Sequence, residues 1–160
     1  MDQQQGLERF RAEVESRLPD LVEELVSCAP HRRVVNRAPT TPGIYLYSER
    51  DRHLYVGRTR DLSRRWADHT RPSSSINSAS FAFNIAKRET AKEGINVAIA
   101  RLQLAAHPIF ERAFVDAKAR VRAMDYRFVR VESAVLSTVG EVYAAMVLGT
   151  EGDFNAFETH

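Results

Sequence analysis

The chain has 160 residues, 44% hydrophobic and 28% charged, which suits one globular domain with a sizeable core and argues against disorder or a fibre. Its 23 Lys and Arg against 21 Asp and Glu leave a net charge of +2, so overall charge selects no partner, and any nucleic-acid surface must concentrate its cations locally. A single cysteine, Cys28, excludes an internal disulfide, no Cys/His spacing suggests zinc, and no apolar run is long enough to span a membrane.

Met1–Gln5 has neither the basic nor the apolar region of a signal peptide, so the expectation is a soluble, cytoplasmic protein without membrane contact. Leu7, Phe10, Val14, Leu18, Leu21 and Leu25 recur at helical spacing, and Pro19 should end, kink or restart that helix near Leu18. The apolar stripe needs cover, either from the main domain or from a second copy. Cys28 reads as a small apolar filler near the helix end. Pro30 to Pro42 is a connector, which places an N-terminal helical extension at residues 1–36 and the main domain at 37–160.

Thr41-Pro42-Gly43 leads into a β-branched and aromatic strand, Ile44 to Ser48, and His53 to Gly57 is a second. The pair reads as a hairpin, and without Asn-Gly or Asp-Gly its turn is expected to be long and irregular. Asp61 is a candidate N-cap for a helix carrying Leu62, Arg65, Trp66 and His69 that stops before Pro72. Further helices are expected over Phe81 to Glu93, with Gly94 as its C-cap, and over Pro108 to Met124. Ile95 to Leu104 fits a strand or a short helix.

Tyr126 to Val131 alternates apolar and basic residues, the period of a half-buried strand. Ser133 to Leu148 is a strongly apolar helix with Val135, Val139, Val142, Met146 and Val147 available to the core, ended by Gly149. Phe154 and Phe157 should pack the polar tail down. The fold class is α+β: a small three-stranded antiparallel sheet flanked by helices, with residues 72–124 as a helical insertion.

Gly43-Ile44-Tyr45 followed by Tyr55-Val56-Gly57 resembles the motif pair of the GIY-YIG nucleases, with Val in place of the second Ile. Arg65 and His69 on the next helix, Glu141 on the late apolar helix, and Asn155 fourteen residues beyond it follow in the order this family keeps. The resemblance implies a metal-dependent DNA endonuclease of the stand-alone bacterial kind, which hydrolyses phosphodiester bonds with one Mg²⁺ or Mn²⁺ ion. It assigns Tyr45 as general base, Tyr55 as a hydrogen-bonding partner of phosphate or water, and Arg65 as the phosphate clamp. Glu141 becomes the metal ligand, and Asn155 a brace around the site.

The chemistry of these residue types agrees. Tyr45 could work as a base if neighbouring cations lower its pKa, and Arg58, Arg65 and His69 are the candidates. A planar guanidinium suits a phosphate, and one carboxylate suits a hard cation that keeps several waters. Glu141 lies in the run Val139 to Ala145, where a carboxylate needs a cation or hydrogen bonds. Glu132, the competing acid, reads as a helix N-terminal charge. Between Arg50 and Arg71, seven arginines face three aspartates, a local +4. Gly57, Arg58, Arg60, Arg64 and Asn155 are accordingly the candidate substrate contacts, with DNA, whether duplex, branched or single-stranded, as the partner.

The N-terminal helix is the candidate contact with a second copy or a partner protein. Two alternatives stand beside the nuclease. One is a binding module of the same fold without catalysis. The other is a helical interaction protein in which the motif is fortuitous.

Overall fold

The computed structural model describes residues 2–32, 39–155 and 157. The expected boundary between residues 36 and 37, the middle of the Pro30 to Pro42 connector and most of the tail's end fall outside these.

Strands β1 (Gly43–Glu49), β2 (Arg52–Thr59) and β3 (Asp125–Arg130) form one antiparallel sheet in the order β2-β1-β3. The α+β architecture is thus the one the sequence implies. Central β1 is buried from Gly43 to Ser48, which explains its continuous apolar and aromatic run. Alternation along it divides the core. Tyr45 and Tyr47 face a cluster containing Leu62, Trp66, Phe81, Phe110 and Tyr126. Ile44 and Leu46 face another containing Leu21, Leu25, Val56, Val129, Leu136 and Ala144.

The first cluster is covered by α3 (Leu62–Thr70), α4 (Ser80–Lys92), α5 (Arg101–Ala105) and α6 (Pro108–Ala123). The ambiguous Ile95 to Leu104 stretch contributes only the short α5. The second cluster is covered by α2 (Leu18–Ser27) and α7 (Ala134–Val147). Pro19 sits in the first turn of α2, where its missing N–H costs nothing, so the helix restarts at Leu18 after α1 (Gln3–Glu13) and one 3₁₀ turn. Among the residues of α1 none is buried, and Leu7 and Phe10 stay 43% and 41% exposed.

Two expectations are corrected. The β1–β2 turn is tight: Glu49 pairs with Arg52, and Arg50 and Asp51 take positive φ values of 50° and 63°. Positive φ at both central residues gives the twist a two-residue hairpin needs, and Asp tolerates it without a following Gly. The core face of α7 also differs. Leu136, Gly140, Ala144 and Ala145 face inward, while Val135, Val142, Met146 and Val147 are exposed. A Cβ at Gly140 would meet Ile44 at 2.8 Å and Leu21 at 3.2 Å, so small residues let α7 approach the sheet and the larger ones stay outside.

Of the tail aromatics, Phe154 packs into the first cluster, whereas Phe157 is 43% exposed. No described helix is long and apolar enough to cross a membrane.

Candidate active site at the β2 edge

Cross-strand register creates the first part of the site. Tyr45 pairs with Gly57, and a Cβ at Gly57 would overlap the Tyr45 ring, so glycine is what lets that ring lie across the neighbouring strand. Gly57 is therefore a packing requirement. Asp61 accepts from the Arg64 backbone N–H at 2.8 Å and starts α3, whose next turns bring Arg65 and His69 to the same phenol. Arg65 Nε donates to the Tyr45 hydroxyl at 3.1 Å, and that hydroxyl lies 3.0 Å from His69 Nε2. Tyr55 is half-buried, its ring centroid 6.2 Å from that of Tyr45, and it stacks on Phe81 at 4.6 Å.

The electrostatics of this cluster reverse one expectation. Burial pushes the Tyr45 phenol well above its ordinary range, and the opposing pull of Arg65 does not overcome it. His69 is not a neighbouring cation either. Burial, with Arg65 adding to it, drives its pKa well below the ordinary histidine value, so the ring is neutral. His69 is fully buried, and its Nδ1 has no hydrogen-bond partner among the described residues.

Arg58 and Glu141 approach from the other face of the sheet. Arg58 pairs across from Ile44 and points toward α7, where its Nε donates to Glu141 Oε2 at 3.0 Å. The Glu141 side chain is 21% exposed, and burial raises its pKa against the pull of Arg58 and Arg65. Tyr45 and Glu141 thus lie on opposite faces of the sheet, with β2 at its edge. A cleft of about 750 Å³ lies on the Glu141 side, lined by Arg58, Arg60, Glu132, Ser137 and Glu141 among others, and Tyr45, Tyr55, Arg65 and His69 do not line it. Arg60 and Arg64 are exposed.

Asn155 stands apart from the cleft chemistry. Its Oδ1 accepts from the Val56 N–H at 2.9 Å and its Nδ2 donates to the Val56 carbonyl at 2.6 Å. Both ends of the amide are spent on the edge of β2, and the residue is 6% exposed, which is the geometry of a brace and leaves little for substrate. Asp153 anchors the same segment by pairing with Arg52 at 2.6 Å and Arg88 at 3.6 Å.

Sequence reasoning overlooked Ser78 and Ser80. The Ser78 carbonyl and Ser80 Oγ accept from Arg65 Nη1 and Nη2 at 3.0 and 2.9 Å. The available signal was a serine opening a helix just after the arginine helix. The start of α4 is consequently part of the site's support.

Glu141 offers hard oxygen donors inside a cleft, with Oε1 making no hydrogen bond among the described residues, and this fits a divalent cation completed by water and substrate oxygens. No group of three or more His, Cys, Asp or Glu side chains able to enclose a metal occurs among the described residues.

Residues 41–99 match the GIY-YIG catalytic domain. The match takes in both halves of the motif, Arg65, His69 and Ser80, and ends before Glu141 and Asn155. No curated protein and no solved structure matches the chain.

Proposed function

We propose, from the match of residues 41–99 to the GIY-YIG catalytic domain and the nuclease-type function it implies, that this chain is a metal-dependent DNA endonuclease. The observation that carries the reading is the Tyr45 phenol held between Arg65 Nε and His69 Nε2, with Glu141 paired to Arg58 in a cleft.

In this mechanism the scissile phosphate lies along the β2 edge, with Arg65 binding its oxygens and Arg58, Arg60 and Arg64 holding the flanking backbone. Tyr55, half-buried beside Tyr45, orients the phosphate or the attacking water. Tyr45 takes a proton from that water while its own passes to His69 Nε2, 3.0 Å away. Neutral His69 with its proton on Nδ1 leaves Nε2 able to accept, and the anionic product is held by Arg65. Glu141 would hold a single Mg²⁺ or Mn²⁺ ion, which when bound supplies charge neutralisation at the leaving oxygen. Exposed Leu7 and Phe10 on α1 supply the contact with a second copy, since cutting both strands of duplex DNA commonly requires two active sites.

Cleavage of supercoiled plasmid in Mg²⁺ or Mn²⁺ tests this. The wild type is expected to nick, and folded Glu141→Gln and Tyr45→Phe variants are expected not to. Protein that shifts DNA in a gel but never cuts it in either metal would replace the enzyme with a non-catalytic binding module.

A further inference from the structure

Arg65 is held from two sides. Tyr45 accepts from its Nε, and the segment entering α4 accepts from both terminal nitrogens through the Ser78 carbonyl and Ser80 Oγ. The second contact is electrostatically unexpected. A helix N-terminus carries partial positive charge, so a guanidinium beside the start of the 13-residue α4 is repelled unless an acceptor offsets the repulsion. Ser80 is that acceptor. Its hydroxyl makes no capping bond to its own helix, whose N-cap residue is Ala79.

Its position is also fixed. Ala79 and Phe81 on either side are fully buried, and the Phe81 ring lies stacked on Tyr55 with 9° between the planes. One turn therefore locates both Arg65 and Tyr55. A guanidinium has five N–H groups, and the three contacts leave two of them, on the terminal nitrogens, for an anion.

We infer that Ser80 is a positioning residue of the active site, which accepts from Arg65 Nη2 and so aims the remaining N–H groups of Arg65 at the substrate phosphate. The inference rests on the hydrolytic reading of Arg65 given above. A charged group that keeps its place but loses its orientation still attracts DNA while binding the reacting phosphate in the wrong geometry. The rate of the chemical step should therefore suffer more than affinity.

The full chain is tested as Ser80→Ala, Ser80→Thr, Arg65→Ala and the Ser80→Ala/Arg65→Ala double variant. Ser80 is only half-buried and opens a helix, so alanine is tolerated there. Ser80→Ala should lower the single-turnover plasmid-cleavage rate about 10-fold while DNA affinity in EDTA changes less than about 2-fold. Ser80→Thr, which keeps the hydroxyl, should recover the rate to within about 3-fold of wild type. In the Arg65→Ala background Ser80→Ala should add nothing, because it acts through Arg65. A readout free of turnover is ¹⁵N resonance of the labelled Arg65 side chain, whose Nη rotation should be slow in the wild type and faster in Ser80→Ala.

Unchanged cleavage by Ser80→Ala, additive losses in the double variant, or unchanged Nη rotation would overturn the inference. A wild type inert on DNA overturns the hydrolytic reading and this inference with it. An active wild type with an unimpaired Ser80→Ala variant overturns this inference alone.

Discussion

Asn155 closes the open edge of β2 as a short stretch of strand would, pairing the N–H and the carbonyl of Val56 with one side-chain amide. Val56 is fully buried, so replacing Asn155 by alanine leaves a donor and an acceptor that water cannot readily reach. Each orphaned backbone group costs about 1–3 kcal/mol, and partial rehydration at an edge strand keeps the pair toward the lower end, so the expected loss is about 2–4 kcal/mol. For a chain of this size that corresponds to a fall in melting temperature of roughly 5–15 °C. Urea denaturation and thermal melts of the full chain measure both. If Asn155 is a brace, any cleavage that survives at low temperature should show DNA affinity close to wild type. A stability change below about 0.5 kcal/mol together with weakened DNA binding would refute the brace and return Asn155 to the substrate contacts.

Other perturbations probe the remaining parts. Glu141→Gln should abolish cleavage without destabilising the fold: burial raises the carboxyl's folded pKa, so ionisation at neutral pH opposes folding and its removal is neutral or favourable, as a melt at pH 7.5 would show. A lower melting temperature would mean that the Arg58 pair outweighs that burial. Gly57→Ala places a methyl against the Tyr45 ring, which is only 1% exposed and has nowhere to move, so a loss of about 2–3 kcal/mol is expected in urea denaturation. A stable Gly57→Ala variant would show that the ring can leave β2. For His69 the folded pKa is depressed, so protonation of the unfolded chain draws stability away as pH falls below about 6.5, by up to about 1.4 kcal/mol per pH unit. His53, also depressed by burial, adds a smaller slope. Melts from pH 5 to 8 should be flatter in His69→Gln than in wild type, and an identical slope would mean that His69 titrates freely.

How far the sequence determines this arrangement depends on the range of the interactions involved. The hairpin strands, the Asp61 cap and the Pro19 restart are local and were readable from a few adjacent residues. Given that strand, its pleat puts Tyr45 and Tyr47 on one face and Ile44 and Leu46 on the other. The inward face of α7 was not readable, because the helix is apolar almost all round. Gly140 and Ala144, which look weak as core residues, decide the face by allowing close approach to Ile44. The pKa directions of Tyr45 and His69 were beyond sequence for a related reason. Nearby arginines can be counted along the chain, but the desolvation that outweighs them exists only once helices from both sides of residue 72 have closed over the phenol.

That contrast bears on how the site works. A tyrosine with a permanently low pKa would be charged, and its burial would be costly. The structure instead holds Tyr45 neutral between Arg65 and a neutral His69, with hydrogen bonds already made to both. The positive charge that would favour a phenolate comes from Arg65, and Arg65 is itself oriented by a helix outside the motif. On the hydrolytic reading, the base is then matched to the moment when a phosphate occupies the β2 edge. Ionisation of Tyr45 in the free protein should be undetectable by ultraviolet titration below pH 10. A phenolate signal near neutral pH, lost in Tyr45→Phe, would overturn that view and restore a base charged before substrate arrives.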